Sequence, residues 1–286
     1  FSPYSRSFSG HFSFFTFFDY RRIAEGYAKD RPFLHGQVME RLTKKLPRHY
    51  QNGLDVGCGA GLSTRALRTV CDRVTGADIS EEMVRAASAL YADESYSFVC
   101  AGAEEIEAPP DTYDIVTAAG VTGWVHEKRF LPCMERVMKK DGLLLIYDFW
   151  ISGKMDGNPA FGDWYEGDYL KRFPKPFRKE KIWTKDDTKP YHFAILLQED
   201  YTMRCEMSGE QFVRFMLLQS NVIAAVEEKG ENLVEVRRYF EENARRYFTP
   251  DGSENLVFDG YSWYLRLQES YSAHAVAAAS KCRRQR

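Results

Sequence analysis

The sequence predicts an α/β protein with a doubly wound, mostly parallel sheet and an inserted aromatic cap. The first observation is an apolar run that ends in Gly57, Gly59 and Gly61 and passes into a helix-like segment. This order is typical of a buried strand, a tight turn and a helix start. The second is that strand-like and helix-like patterns then alternate as far as residue 150, as in a parallel sheet. The third is a break in this alternation over 151–207, a segment rich in Trp, Tyr and Phe.

Length and composition limit the class of protein. The 286 residues, 44% of them hydrophobic, suffice for one large domain or for a domain with an insertion. The formal net charge of −2 disfavours a nucleic-acid partner. No apolar run approaches the roughly 20 residues that span a bilayer. The six cysteines show no spacing typical of a metal site, so we predict no metal, small buried thiols and a cytoplasmic location.

The N-terminal part is predicted to be an extension followed by two helices. Residues 1–18 hold seven of the 20 phenylalanines and are expected to be either a poorly ordered terminus or an aromatic arm on the fold. A short helix is predicted over 19–33, where Pro32 stops it. A second helix is predicted over 34–46, before Pro47.

Two aspartates stand near the ends of the first two predicted strands. The first strand, about 53–57, contains Asp55, which would place a carboxylate beside the free N–H groups of the next helix. Such a pair suits an amino acid or a nucleoside. The second strand, about 73–78, ends in Asp78, about 20 residues after the glycine turn, where doubly wound folds hold a ribose. Ser80 supplies the cap of the following helix, which leaves Asp78 available to a ligand.

Three more strands complete the alternation, at 96–100, 113–120 and 143–150. The last of these is a continuous apolar run, typical of a strand that is covered on both faces. Ligands of such sheets bind at the carboxyl ends of the strands. Tyr147 and Asp148 are therefore predicted to lie on the substrate side.

The segment 151–207 is predicted to be a cap that covers a substrate. It is too long and too aromatic for a plain loop, and it follows the strand that ends at the predicted site. Between Lys171 and Lys189, eight basic residues meet three acidic ones. This bias would attract a carboxylate or a phosphate, and a solvated charged surface is the alternative.

Residues 208–270 are predicted to return to the core. Ser208-Gly209-Glu210-Gln211 has the form of a capping box that begins an apolar helix through about residue 226. Gln219 and Asn221 interrupt its apolar face and are candidates for ligand contact. After a helix at about 232–247, two strand-like segments flank Asp259-Gly260, a strong signal for a β-hairpin. Residues 271–286 are predicted to be a frayed tail.

The glycine turn resembles a motif of a known enzyme family. Residues 54–61, Leu-Asp-Val-Gly-Cys-Gly-Ala-Gly, closely resemble the first motif of class I S-adenosylmethionine-dependent methyltransferases, with further matches over about 20–150. A nicotinamide-binding turn has Gly-x-Gly-x-x-Gly instead, and none of the 17 tyrosines has the Lys four residues later that a dehydrogenase would show. The resemblance implies a Rossmann-like sheet of seven strands with an antiparallel last strand. It also implies a cofactor-binding core at 19–150 with an N-terminal lid.

The resemblance further implies which residues bind the cofactor. Tyr27 and Arg31 are similar to the lid of small-molecule methyltransferases related to the ubiquinone-biosynthesis and trans-aconitate enzymes, and would close over the methionine part. Asp78 would hold the ribose, Ile79 would pack on the adenine, and Ala103 and Glu104 would contact its amino group. The full implied set is Tyr27, Arg31, Asp55, Gly57, Cys58, Gly59, Gly61, Ser63, Asp78, Ile79, Met83, Ala103, Glu104, Ala119, Gly120 and Trp124.

The predicted function is methyl transfer from S-adenosylmethionine to a small molecule that bears a carboxylate, which leaves S-adenosylhomocysteine. Asp148 and His126 are the candidate bases for an acceptor hydroxyl or protonated amine. A carboxylate, a thiolate or an activated carbon would need no base. A nucleic-acid methyltransferase and a non-catalytic protein that binds S-adenosylmethionine are the alternatives. The sequence leaves monomer and homodimer equally open.

Overall fold

The computed structural model describes residues 21–91, 93–175 and 182–268, and within them seven strands form one sheet. The strands are β1 (Tyr50–Val56), β2 (Cys71–Asp78), β3 (Tyr96–Cys100), β4 (Tyr113–Ala119), β5 (Met138–Met155), β6 (Phe193–Ser208) and β7 (Ser253–Leu267). Their order across the sheet is β3-β2-β1-β4-β5-β7-β6. Pairing is parallel from β3 to β5, and β7 runs antiparallel to both of its neighbours. The predicted fold class is therefore confirmed. The predicted extension 1–18 and tail 271–286 lie outside the described residues.

Helices connect the strands and cover the sheet. The first five are α1 (Arg21–Asp30), α2 (His35–Lys45), α3 (Leu62–Arg68), α4 (Glu81–Leu90) and α5 (Glu127–Val137). After β5 come α6 (Ala160–Trp164), a π-helical turn (Tyr165–Tyr169), α7 (Leu170–Arg172), α8 (Lys185–Thr188) and a 3₁₀ turn (Lys189–Tyr191). Between β6 and β7 lie α9 (Gly209–Met216), α10 (Ser220–Glu227) and α11 (Leu233–Tyr247). None of the helices in the described ranges is both long and apolar enough to cross a membrane.

Strand β5 shows why the sheet needs helices on both faces. Leu143, Leu145 and Tyr147 belong to the buried cluster that contains residues of α2 and α3. Leu144 and Ile146 belong to a second cluster, with residues of α5. Successive side chains of a strand point to opposite faces. The prediction that this strand is covered on both faces is therefore confirmed.

Caps begin the helices where the sequence predicts them. The Ser80 hydroxyl accepts a hydrogen bond from the Met83 N–H at the start of α4. Ser208 and Gln211 form the predicted capping box at the start of α9. The single helix predicted from there to about residue 226 is wrong, because it divides into α9 and α10. At the division the N–H groups of Leu218 and Gln219 bond three residues back, to Phe215 and Met216, and Gln219 becomes extended as the N-cap of α10.

The predicted hairpin at Asp259-Gly260 is also wrong. One uninterrupted strand, β7, runs through both residues and pairs with β5 on one side and β6 on the other. A Cβ on Gly260 would lie 2.7 Å from a ring atom of Tyr201 and 2.8 Å from the backbone oxygen of Asp148. The glycine therefore provides clearance beneath a cross-strand aromatic ring instead of forming a turn.

The predicted cap, 151–207, is only partly a cap. Strand β5 continues to Met155 and β6 begins at Phe193, so both ends of the segment belong to the sheet. Strand β6 lies at the edge of the sheet and exposes many of its side chains, which explains why its sequence lacks a continuous apolar signal. The helical part of the cap packs its rings on α9 and α11, through Phe161 and Trp164 on Phe212 and Tyr169 on Phe240.

Candidate active site

A cavity of 1230 Å³ opens at the carboxyl ends of the central strands. Small-molecule sites typically measure about 300–1,000 Å³, so this cavity has room for more than one ligand. The sequence-predicted residues that line it are Tyr27, Arg31, Gly57, Cys58, Gly59, Ser63, Asp78, Ile79, Met83, Ala103, Glu104, Ala119, Gly120, Trp124 and Asp148. Asp55, Gly61 and His126 were also predicted, and the structure places them outside the lining.

The glycine turn between β1 and α3 brings backbone to the cavity wall. Gly57, Gly59 and Gly61 all have positive φ, at 65°, 52° and 87°, a conformation that glycine adopts at little cost. A Cβ on Gly59 would meet nothing within 4 Å, whereas one on Gly57 would lie 2.5 Å from Val121. Gly59 therefore faces open space, Gly57 is packed on its neighbour, and Gly61 serves as the N-cap of α3.

Asp78 ties the glycine turn to the end of β2. Its Oδ2 accepts a hydrogen bond from the Gly59 N–H at 2.8 Å, and its Oδ1 accepts one from the Ser80 N–H at 2.9 Å. Asp78 is thus not reserved for a ligand alone, because its carboxylate also positions the turn. It still lines the cavity, beside the exposed side chain of Ile79.

Asp55 lies beneath the turn and does not face a ligand as the sequence suggested. The side chain is 0% exposed. Its oxygens accept hydrogen bonds from the hydroxyls of Ser63, Thr64 and Thr117 at 2.6, 2.7 and 2.7 Å. Burial raises the pKa of Asp55 to about 6, and the three hydroxyls oppose that rise. The carboxylate therefore joins β1, α3 and β4 below the cavity.

Glu104 closes one rim of the cavity. It accepts a hydrogen bond from the backbone N–H of His126 at 2.5 Å and pairs with the Arg129 guanidinium at 3.0 Å. The His126 residue itself is exposed and stands as the N-cap of α5. Its imidazole does not line the cavity, so the structure brings only Asp148 of the two candidate bases into it.

Asp148 lies within β5, directly after Tyr147, the last residue of that strand that pairs with β4. A Cβ on Gly120 would lie 3.3 Å from Asp148 Oδ1, so the absence of a side chain at Gly120 makes room for this carboxylate. The Phe149 N–H donates to the same oxygen at 2.8 Å. The predicted position of Asp148 on the substrate side agrees with this geometry.

His35 is a cavity residue that sequence reasoning missed. Its Nδ1 lies 2.9 Å from the hydroxyl of Tyr147. Burial, with a smaller effect from the nearby charge of Arg31, lowers the pKa of His35 to about 3. The imidazole is therefore neutral at physiological pH. The only available signal was its place at the start of α2, just after Pro32, and that position is not specific.

Two polar residues at the start of α10 also line the cavity. Asn221 lines the cavity, and its Oδ1 accepts a hydrogen bond from the Tyr169 hydroxyl at 3.0 Å. Its Nδ2 donates to the backbone oxygen of Phe173 at 2.6 Å. Gln219 also lines the cavity. Both residues were candidates for ligand contact because they interrupt an apolar helix face.

Part of the chain is similar in sequence to known methyltransferases. The family profile described as the methyltransferase domain matches residues 54–146. The uncharacterized methyltransferase YcgJ of Bacillus subtilis is 27% identical over 136 residues, which cover 46% of this chain and 54% of that protein. The ubiquinone biosynthesis O-methyltransferase of Bradyrhizobium diazoefficiens is 36% identical over 97 residues, 32% of this chain and 38% of that enzyme. These two curated relatives are therefore matched over about half of their length or less.

A solved structure shows that the likeness in fold extends beyond the matched segment. A structure from Anaeromyxobacter dehalogenans, named as a type II methyltransferase, superposes with a TM-score of 0.65 at 20% identity, covering 84% of this chain and 99% of that one. At this identity it supports the fold alone. The profile match contains the glycine turn, Asp78 and the end of β4. The chain therefore carries, over residues 54–146, a segment similar to the methyltransferase domain.

Proposed function

We propose that this chain transfers the methyl group of S-adenosylmethionine to a small-molecule acceptor. The observation that supports this most strongly is the continuity of the cavity. It runs from the glycine turn, past Asp148 of β5, to Tyr169 of the cap and Asn221 of α10. A non-catalytic protein that only binds the cofactor would need no second compartment under a cap.

The residues present fit S-adenosylmethionine. Gly59 leaves open space at the cavity wall, where a side chain would reduce the room for a ligand. Ile79 is 57% exposed beside the turn and offers an apolar surface to the adenine. Asp78 supplies carboxylate oxygens for the ribose, and Arg31, stacked 4.5 Å over the Tyr27 ring, supplies a cation at the lid for the carboxylate of the methionine part. When bound, this cofactor supplies a methyl group already activated on a sulfonium sulfur.

The residues of the chain then have to align the acceptor, exclude water and accept a proton where needed. Alignment contributes most in such a displacement, because the methyl donor is already activated. Tyr165 and Tyr169 of the cap, with Phe215 of α9, would exclude water. Asp148 is the candidate base for an acceptor that must lose a proton. His35, with a pKa of about 3, is suited to hydrogen bonding and not to proton removal near pH 7.

The charge of the acceptor is a separate proposal. The suggestion that it bears a carboxylate rests on the basic residues of 171–189. Of those described, Lys175 lines the cavity, whereas Arg172 pairs with Glu231 at 3.1 Å and stacks over Tyr239. We also propose a cytoplasmic location, which agrees with the free thiols of Cys58, Cys71, Cys100, Cys133 and Cys205. Monomer and homodimer are both compatible with these proposals.

Titration calorimetry and product analysis test the proposed function. The purified chain is titrated with S-adenosylmethionine, S-adenosylhomocysteine and NADH. It is then incubated with methyl-labelled cofactor and a metabolite extract, and labelled small molecules are sought by mass spectrometry. Binding of the first two ligands, no binding of NADH and a labelled small molecule are the expected results. Binding without any labelled product would favour the non-catalytic alternative, and label in added RNA would favour a nucleic-acid substrate.

A further inference from the structure

Two carboxylates and a tyrosine lie in one row across three strands at the cavity. Tyr261 of β7 is paired with Asp148 of β5 on one side and with Asp200 of β6 on the other. Directly opposed residues in antiparallel strands point to the same face of the sheet. All three residues line the cavity. The phenol ring is therefore flanked by two acids.

Aromatic rings extend this row along β5 and β7. The ring centroids of Tyr261 and Trp263 are 5.0 Å apart in a stacked arrangement, and those of Trp150 and Tyr261 are 6.4 Å apart. Trp150 is 45% exposed although its strand belongs to the core sheet. We name Asp148, Trp150, Asp200, Tyr261 and Trp263 the acidic aromatic trough. Trp263 is buried and Tyr261 is partly exposed, so the exposed Trp150 ring continues a packed row of rings to the cavity. An exposed aromatic ring at a cavity is typical of a surface that contacts a ligand.

The charges near the trough are unevenly distributed. Arg129 lines the same cavity, and it is paired with Glu104 and Glu105. Glu199, next to Asp200 in sequence, points to the other face of the sheet and pairs with Lys45 at 3.1 Å. Asp148 and Asp200 are thus the two acids of the cavity lining that flank Tyr261. A cation placed there gains from both the carboxylates and the π faces of the rings.

We infer that the acidic aromatic trough binds a positively charged amine group of the methyl acceptor. This inference rests on the proposed function, because it assigns the trough to the acceptor side of the same cavity. It reverses the charge that the basic residues of 171–189 suggested. A carboxylate in the trough would lie near two acids of its own sign, whereas an amine would be bound between them.

A set of matched probes tests the sign of the charge. Phenethylamine and tryptamine are each compared with the acid and the alcohol of the same skeleton, by calorimetry on the full chain saturated with S-adenosylhomocysteine. We expect each amine to bind about tenfold more tightly than its matched acid. Equal binding, tighter binding of the acids, or no binding of any amine would overturn the inference.

Substitutions in the acidic aromatic trough test whether these residues cause the preference for amines over acids. Asp200→Asn and Tyr261→Leu are expected to weaken the amines about five- to tenfold and to leave S-adenosylhomocysteine binding unchanged. Asp259→Asn is the matched control, since Asp259 is on the same face of β7, opposite Trp150, but outside the cavity lining. An amine preference that survives both trough variants, or that Asp259→Asn removes equally, would contradict the assignment. Failure of S-adenosylhomocysteine to bind the unaltered chain would instead refute the proposed function.

Discussion

Nδ1 of His35 and the hydroxyl of Tyr147 lie 2.9 Å apart, where the start of α2 meets the middle of β5. The pKa of His35 falls from 6.5 to about 3 on folding, so the unfolded chain takes up this proton first as the pH drops. The contribution of neutral His35 to the free energy of unfolding is fully present above pH 6.5 and is lost as the pH falls towards 3. His35→Asn should therefore flatten the pH dependence of the free energy of unfolding in this window, as measured by urea denaturation.

Tyr147→Phe provides the contrast for that measurement. It removes the hydroxyl and keeps the imidazole, so we expect a loss of about 1 kcal/mol at every pH. The slope with pH should stay close to that of the unaltered chain. A slope that is unchanged in His35→Asn would show that the imidazole does not titrate as the structure implies.

The pH dependence that Asp55 gives to the free energy of unfolding should be opposite to that of His35. Its pKa rises from 3.8 to about 6 on folding, so the native state holds the proton more tightly than the unfolded chain. The contribution of protonated Asp55 to the free energy of unfolding is fully present below pH 3.8 and is lost as the pH rises to about 6. The free energy of unfolding changes by roughly 3 kcal/mol over this range. Asp55→Asn should remove this loss, as seen in urea denaturation at several pH values between 4 and 7.

Thr117→Val tests the same carboxylate from the side of its partner. The variant deletes one hydroxyl that stabilises the ionised form. We expect it to cost about 2 kcal/mol at pH 7, where Asp55 is ionised, and less at pH 4.5. An equal cost at both pH values would indicate that only packing was lost.

Gly57 and Gly59 form a pair of substitutions with separable effects. Ala at Gly57 would bring a Cβ within 2.5 Å of Val121 at a positive φ, and we expect a loss of about 2–4 kcal/mol in stability. Ala at Gly59 meets no neighbour, so its cost in stability should be about 1 kcal/mol. The methyl group of Ala at Gly59 would instead enter the cavity and weaken the binding of S-adenosylhomocysteine about tenfold or more. Thermal unfolding and calorimetry on both variants check the division, and a reversed pattern would contradict it.

Substitution of Asp78 should weaken the cofactor in two graded steps. Asp78→Ala removes the charge and both acceptors of the Gly59 and Ser80 N–H groups, and we expect S-adenosylhomocysteine to bind about 100-fold more weakly. Asp78→Asn keeps one acceptor oxygen and should cost about tenfold. Glu81→Gln is the control, because this exposed acid begins the next helix outside the cavity lining. Losses of similar size in all three variants would point to net charge alone.

The strand and helix alternation over 53–150 could be predicted because each element there has a local signal. Parallel strands are buried on both faces and appear as apolar runs, and their carboxyl ends define the site. That rule gives the edge of the sheet where the site lies, and the resemblance to class I methyltransferases identifies most of the individual lining residues from Gly57 to Trp124. Asp55 was misplaced since its environment depends on hydroxyls from two other elements, although Ser63 and Thr64 in the next helix were a usable hint.

The far side of the sheet was harder because its signals are ambiguous. Asp259-Gly260 has hairpin chemistry, but the ring of Tyr201, which lies on another strand, determines what the glycine does. The long edge strand β6 has exposed polar positions and does not stand out from the aromatic segment before it. His35 and Tyr261 reach the cavity only through tertiary contacts, which no periodicity reveals.

The position of β7 has a consequence for how the chain becomes a sheet. This strand is the last in the described sequence, yet it occupies the gap between β5 and β6. During synthesis, β5 and β6 leave the ribosome first and must wait with unpaired edges while α9 to α11 are made. Pairing between such distant segments slows folding. Helices α9 to α11 are thus made before the strand that closes the sheet, so the sheet is completed only after β7 has been synthesised.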